Sequence, residues 1–182
     1  MTEIVTLKEN SWLSLKELRA PEAGVAGYVF SHETRCQGRI VLVLPYRWNT
    51  EDQSLSYLVK SEVTPCWSME PVRSGVTGGY EGEDIADDAV REMLEETGYS
   101  IQKEDLEYLG TCYASKSSDT VYTLYAVDVG DLFQAEALGD GTRLESESET
   151  IWVNLRELAA YQDAQLCTAA LRLLAHVWHN KF

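Results

Sequence analysis

Residues 82–99 read GEDIADDAVREMLEETGY, and no other stretch limits the fold and the chemistry so tightly. At about 100° per residue, Ile85, Ala86, Ala89, Val90, Met93 and Leu94 fall on one half of a helical cylinder. The spacing therefore predicts a helix over 84–97 with one buried side, stopped by the left-handed cap that Gly98 offers. Glu92, Glu95 and Glu96 converge on an arc beside the apolar stripe, because positions three and four apart are neighbours. Asp84–Asp88, Asp88–Glu92 and Glu92–Glu96 are like-charged i, i+4 pairs, together costing ~1 kcal/mol in an isolated helix. A divalent cation such as Mg²⁺ removes that conflict, since it takes carboxylate oxygens and keeps waters for a phosphate substrate. The plainer reading is a solvated acidic face, and the attractive series Asp87–Arg91–Glu95 suits it. The helix taken alone leaves the two readings level.

The rest of the chain narrows the setting. Its 182 residues are 45% hydrophobic and 25% charged, which suits one globular domain spanning 1–182 with a substantial core. Thirty acidic residues against fifteen basic ones give a net charge of −15. That excludes a nucleic-acid-coating or anionic-membrane protein, since both need a positive surface. Phosphate-bearing substrates stay open if a metal supplies the missing charge. The first fifteen residues lack the basic flank and apolar core of a signal peptide, and no run reaches the roughly eighteen apolar residues of a membrane span. The four cysteines lie far apart with no CxxC pair, which reads as reduced thiols in a cytoplasmic protein.

Strands are expected over 24–30, 39–45, 55–63, 106–114, 120–128 and 150–154, with a short one near 74–77 inside a Gly-, Pro- and Ser-rich loop. Helices are expected near 155–161 and 164–180. Residues 11–19 carry apolar residues at helical spacing or form an irregular lead-in. The polar segment 129–148 is long enough to suggest a functional loop. Strands interleaved with a few helices predict an α/β or α+β sandwich.

Arg91-Glu92-Met93-Leu94-Glu95-Glu96-Thr97-Gly98, with Glu83 eight residues before the arginine, resembles the Nudix box. Six specified positions at roughly one in ten each recur by accident in such a chain on the order of once in ten thousand. The order of strands, loop and C-terminal helix also resembles the Nudix fold, an α/β/α sandwich around a mixed sheet. The resemblance implies that Glu92 and Glu96 bind Mg²⁺ or Mn²⁺, with Glu95 a ligand or a water-mediated partner. It implies that Arg91 orients the carboxylates, that Glu83 supports Arg91, and that the Val76 carbonyl adds a backbone ligand. Two positions depart from the family pattern: Thr77 stands where the first box glycine falls, and Asp88 where a small residue is usual.

The same resemblance implies hydrolysis of a nucleoside diphosphate linked to another group, with ADP-ribose or a nucleotide sugar the nearest class. In that subgroup a carboxylate from the loop opposite the box helix commonly completes the site, and here Glu147 and Glu149 precede a strand at the matching place. Glu149 is the first candidate for the base because it adjoins the strand. Pro45-Tyr46-Arg47-Trp48 resembles the subgroup's substrate-side strand end. Arg47 would then pair with the diphosphate, and Tyr46 or Trp48 would stack on a base. The proline usual beyond the box in ADP-ribose enzymes is absent, Ser115 and Lys116 standing there. The alternatives are a nucleoside triphosphate pyrophosphohydrolase and, from another class, a non-catalytic nucleotide-binding module. Related enzymes often form homodimers, so a small-molecule nucleotide and a second copy are the expected partners.

Overall fold

A computed structural model describes residues 1–51, 53–82, 84–139 and 148–181, the last four without their side chains. A three-stranded antiparallel sheet comes first, from β1 (Glu3–Glu9), β2 (Ser14–Ala20) and β3 (Val25–His32). The larger sheet contains β4 (Arg39–Asn49), β5 (Ser54–Glu62), β6 (Val72–Ser74), β7 (Val76–Gly79), β8 (Glu107–Tyr113), β9 (Val121–Asp128) and β10 (Glu149–Asn154). Its order is β10-β5-β4-β9-β8, with β6 on β5 and β7 on β4. Only β4 and β9 run parallel, so the sheet is mixed as expected. Helix α1 (Ile85–Thr97) covers one face, and α3 (Ala164–Lys181) covers the other after the short α2 (Leu155–Leu158).

The pleat of β4 explains why RIVLVLPYRWN is apolar on both sides. Leu42, Leu44 and Tyr46 join the cluster under α3, whereas Val41 and Val43 join Ala89 and Met93 of α1. The β5 strand alternates likewise, sending Tyr57 and Val59 toward α3 and Leu58 toward α1. On that alternation Lys60 shares the α1 face.

Helix α1 starts where Asp84 accepts from the Ala86 N–H (3.1 Å) and ends at Gly98, whose φ of 74° allows its N–H to reach Leu94 O. The segment after β9 then docks on this end. Ala135 N donates to Gly98 O (3.0 Å), Gln134 Nε2 to Thr97 O (2.9 Å) and Gly139 N to Glu95 O (2.8 Å). These bonds satisfy carbonyls that a helix C-terminus leaves without intrahelical partners.

Residues 11–19 differ from the expectation. They are neither a helix nor a lead-in but mostly β2, the central strand between β1 and β3, and β1 was not anticipated. Pairing on both edges overrides the local helical spacing of a few leucines. Among the described residues, no helix is long and apolar enough to cross a membrane.

Candidate active site

The acidic arc of α1 lies against β7 and the end of β5. Glu96 projects between them and pairs with Lys60 Nζ, while its Oε2 accepts from the Thr77 N–H at 3.3 Å. Lys60 also lies 2.9 Å from Glu62 Oε2. The side chains of Lys60 and Glu96 are only 3% and 6% exposed. Burial works against the Lys60 charge, but the two carboxylates outweigh it and raise its pKa above the ordinary value. Burial pushes Glu96 up to about 8, against the pull of Lys60.

One turn earlier, Glu92 rests on Gly78, where an added Cβ would overlap its carboxylate. Burial pushes Glu92 up to about 7, opposed by the neighbouring Arg91. Arg91 lies across this side of the helix. Its Nη2 is 2.9 Å from Glu92 Oε1 and 3.2 Å from Glu81 Oε1, and its Nη1 is 2.8 Å from Glu95 Oε2. The Nη2 contacts are electrostatic, since this buried nitrogen makes no well-angled hydrogen bond. Asp88, the second departure from the family pattern, is buried: it accepts from the Glu81 N–H (3.4 Å) and lies 3.6 Å from Arg91. It therefore helps fix the turn that enters α1.

All of these groups except Asp88 line a cavity of about 310 Å³ between α1, β5, β7 and the β3–β4 turn. Among the described residues no three acidic, histidine or cysteine side chains close on a single point; Glu92 and Glu95 face Arg91, and Glu96 faces Lys60. The donor set fits a hard divalent cation. Two buried carboxylates that burial drives toward protonation need a positive charge to remain ionised, and Glu92, Glu95 and Glu96 present oxygen ligands.

The structure brings together Glu92, Glu95, Glu96 and Arg91, but it spreads the other described candidates. Glu83 and Glu147 lie outside the described residues. Val76 is wholly buried at the start of β7. The Thr77 N–H faces Glu96, and in an extended strand the N–H and C=O of one residue leave by the same edge. The Thr77 carbonyl thus shares the glutamate edge, and that of Val76 lies on the β4 edge. Glu149 is exposed at the first position of β10, opposite Ser61. Its neighbour Thr150 is the one opposite Lys60, so the pleat turns Glu149 to the face away from α1.

The strand end 45–48 is divided in the same way. Tyr46 is buried under α3, its hydroxyl donating to Glu107, and Trp48 lines a separate cavity of about 790 Å³ beside α2 and α3. Arg47 stacks over Trp152 at 4.2 Å, and Trp152 belongs with the α1-side core. Consecutive strand residues cannot all face one ligand.

Sequence reasoning missed Lys60, Glu62, Gly78 and Arg35. For Lys60 a signal existed, since strict alternation through LSYLVKSE puts it on the face of Leu58. Gly78 owes its place to the long-range pairing of β7 with β4, and Arg35 to its contacts with Trp12 on the β1–β2 turn; neither has a local mark.

The NUDIX domain family matches residues 37–176, which includes every box residue and begins after the three-stranded sheet. The fold is similar to the crystal structure of an ADP compounds hydrolase, with a TM-score of 0.73 and 14% identity over 99% of this chain and 95% of that one. A crystal structure of a MutT/nudix family protein from Enterococcus faecalis aligns with a TM-score of 0.48 and 22% identity, over 64% of this chain and 43% of that one. None of the curated proteins matches the chain in sequence.

Proposed function

Because the chain belongs to the Nudix family, we propose that it is a Mg²⁺- or Mn²⁺-dependent pyrophosphohydrolase acting on a nucleoside diphosphate linked to another group. The observation that carries this reading is the convergence of Glu92, Glu95 and Glu96 on one cavity, two of them buried beyond what stability alone favours. The fold shared with an ADP compounds hydrolase supports an ADP-linked substrate, of which ADP-ribose is the simplest.

In this reading Glu92 and Glu96 hold the metal, Glu95 acts directly or through water, and the Thr77 carbonyl on the same edge replaces that of Val76. When bound, the metal polarises the phosphoryl oxygens and lowers the pKa of the attacking water. Arg91 keeps Glu92 and Glu95 pointed toward the cavity. Lys60 anchors Glu96 from β5. Because Glu149 sits on the far face, proton removal from the water falls, among the described carboxylates, to Glu95, the most exposed of the three box glutamates.

Hydrolysis of a nucleotide panel with Mg²⁺ and Mn²⁺, with the products identified, tests the proposal. Two monophosphate products from an ADP-linked compound are expected. Release of inorganic pyrophosphate from nucleoside triphosphates alone would instead identify a triphosphate pyrophosphohydrolase. No hydrolysis of any member would leave a binding module.

A further inference from the structure

A diphosphate linked at both ends carries two negative charges, and a divalent ion held by Glu92 and Glu96 is already neutralised by those carboxylates, so the substrate needs a cation the protein has not already committed. Among the described residues, three cationic side chains line the cavity: Lys60, Arg91 and Arg35. Lys60 is held by Glu96 and Glu62, and Arg91 by Glu81, Glu92 and Glu95. Arg35 is exposed and, among the described residues, makes no ion pair, although five glutamates line the same cavity.

Its position is built. The Asn10 side chain accepts from the N–H groups of Trp12 and Leu13, both at 2.8 Å, and so closes the β1–β2 turn. Trp12 then meets Arg35 twice: its carbonyl accepts the Arg35 N–H (3.4 Å), and its ring lies 5.1 Å from the guanidinium carbon. On the cavity side the guanidinium passes close to Gly79, at the end of β7 next to Gly78 and Glu92. The three-stranded sheet, which precedes the matched family region, thereby braces a free guanidinium across the cavity from the carboxylates.

We infer that Arg35 binds the substrate's diphosphate, pairing with the phosphate oxygens that the metal leaves free, and that Trp12 is the positioning residue for it. The planar guanidinium suits two oxygens of one phosphate, which an ammonium does not match. This inference rests on the metal-dependent reading above, and it goes beyond it by giving the acidic protein its anion-binding group.

The test separates metal from diphosphate. Mn²⁺ binding to the full chain is measured first, by electron paramagnetic resonance, and then binding of α,β-methylene-ADP in the presence of Mn²⁺, by calorimetry. The Arg35→Ala variant is expected to bind Mn²⁺ as wild type does but to hold the nucleotide about tenfold to a hundredfold more weakly. Arg35→Lys should recover part of the loss, and Trp12→Ala should show a smaller loss than Arg35→Ala. Nucleotide affinity in Arg35→Ala within twofold of wild type would overturn the inference and leave the metal site standing. A wild type that binds Mn²⁺ but not the nucleotide would overturn it as well. A wild type that binds no Mn²⁺ would remove the metal-dependent reading and this inference together.

Discussion

Lys60 reaches Glu96 across the seam between β5 and α1, and neither end of the pair is open to water. Removing one member of such a pair leaves the other charge buried without its partner, whereas removing both leaves two neutral groups. Lys60→Met is therefore expected to lose about 3 kcal/mol of stability in the metal-free protein. Adding Glu96→Gln should return a good part of that loss. A denaturant double-mutant cycle measures the coupling; additive effects would show that the two residues do not stabilise each other.

Glu92 and Glu96 also set a pH dependence. Their folded pKa values, about 7 and about 8, lie above the ordinary carboxylate value of 4.5. Between those limits the folded state binds more protons than the unfolded one, so stability falls as pH rises. With chelator present, the melting temperature should decline from pH 5 to pH 8.5 more steeply in wild type than in Glu92→Gln/Glu96→Gln. The variant comparison removes the general repulsion of a chain with net charge −15. Mg²⁺ should restore wild type at pH 8.5 and affect the double variant little, because a ligand stabilises the state that binds it. Equal slopes and equal Mg²⁺ shifts would place cation binding elsewhere on the acidic surface.

Gly78 supplies a test that removes no carboxylate. A methyl group there overlaps Glu92, so Gly78→Ala should displace the ligand and lower kcat by about a hundredfold or more. Gly79→Ala, whose Cβ would meet only Cys36 Cβ at 3.0 Å and the Arg35 guanidinium beyond, should be milder. Similar rates in wild type and Gly78→Ala would show that Glu92 need not sit where β7 holds it.

Glu149 gives a contrasting expectation. Standing opposite Ser61, it faces away from α1, so Glu149→Gln should change kcat by less than about threefold. Glu95→Gln should lower kcat far more while leaving KM near normal. Steady-state kinetics on both variants, with Glu147→Gln beside them, decides the base, and a large loss in Glu149→Gln or Glu147→Gln alone would return that role to the loop before β10.

How far these features could be read from the sequence follows from their range. The box helix was legible to within a residue, because its apolar stripe and Gly98 stop are both local. The strands of the main sheet were legible from β-branched runs such as RIVLVLP. The three-stranded sheet was not, since β2 is a strand only through pairing with β1 and β3. Resemblance brought out Glu92, Glu95, Glu96 and Arg91, but the cations around them depend on register. Lys60 meets Glu96 because β5 lies beside α1, and Arg35 meets the cavity because the β1–β2 turn carries Trp12 beneath it. Tyr46, Arg47 and Trp48 show the converse: adjacent in sequence, they are divided by the pleat.

The most direct measurement is kcat for the best diphosphate substrate in wild type and Glu96→Gln, at saturating Mg²⁺, with circular dichroism confirming that the variant is folded. A metal site built on Glu96 requires a loss of at least about a hundredfold in a folded variant. Hydrolysis by folded Glu96→Gln at the wild-type rate would contradict the account.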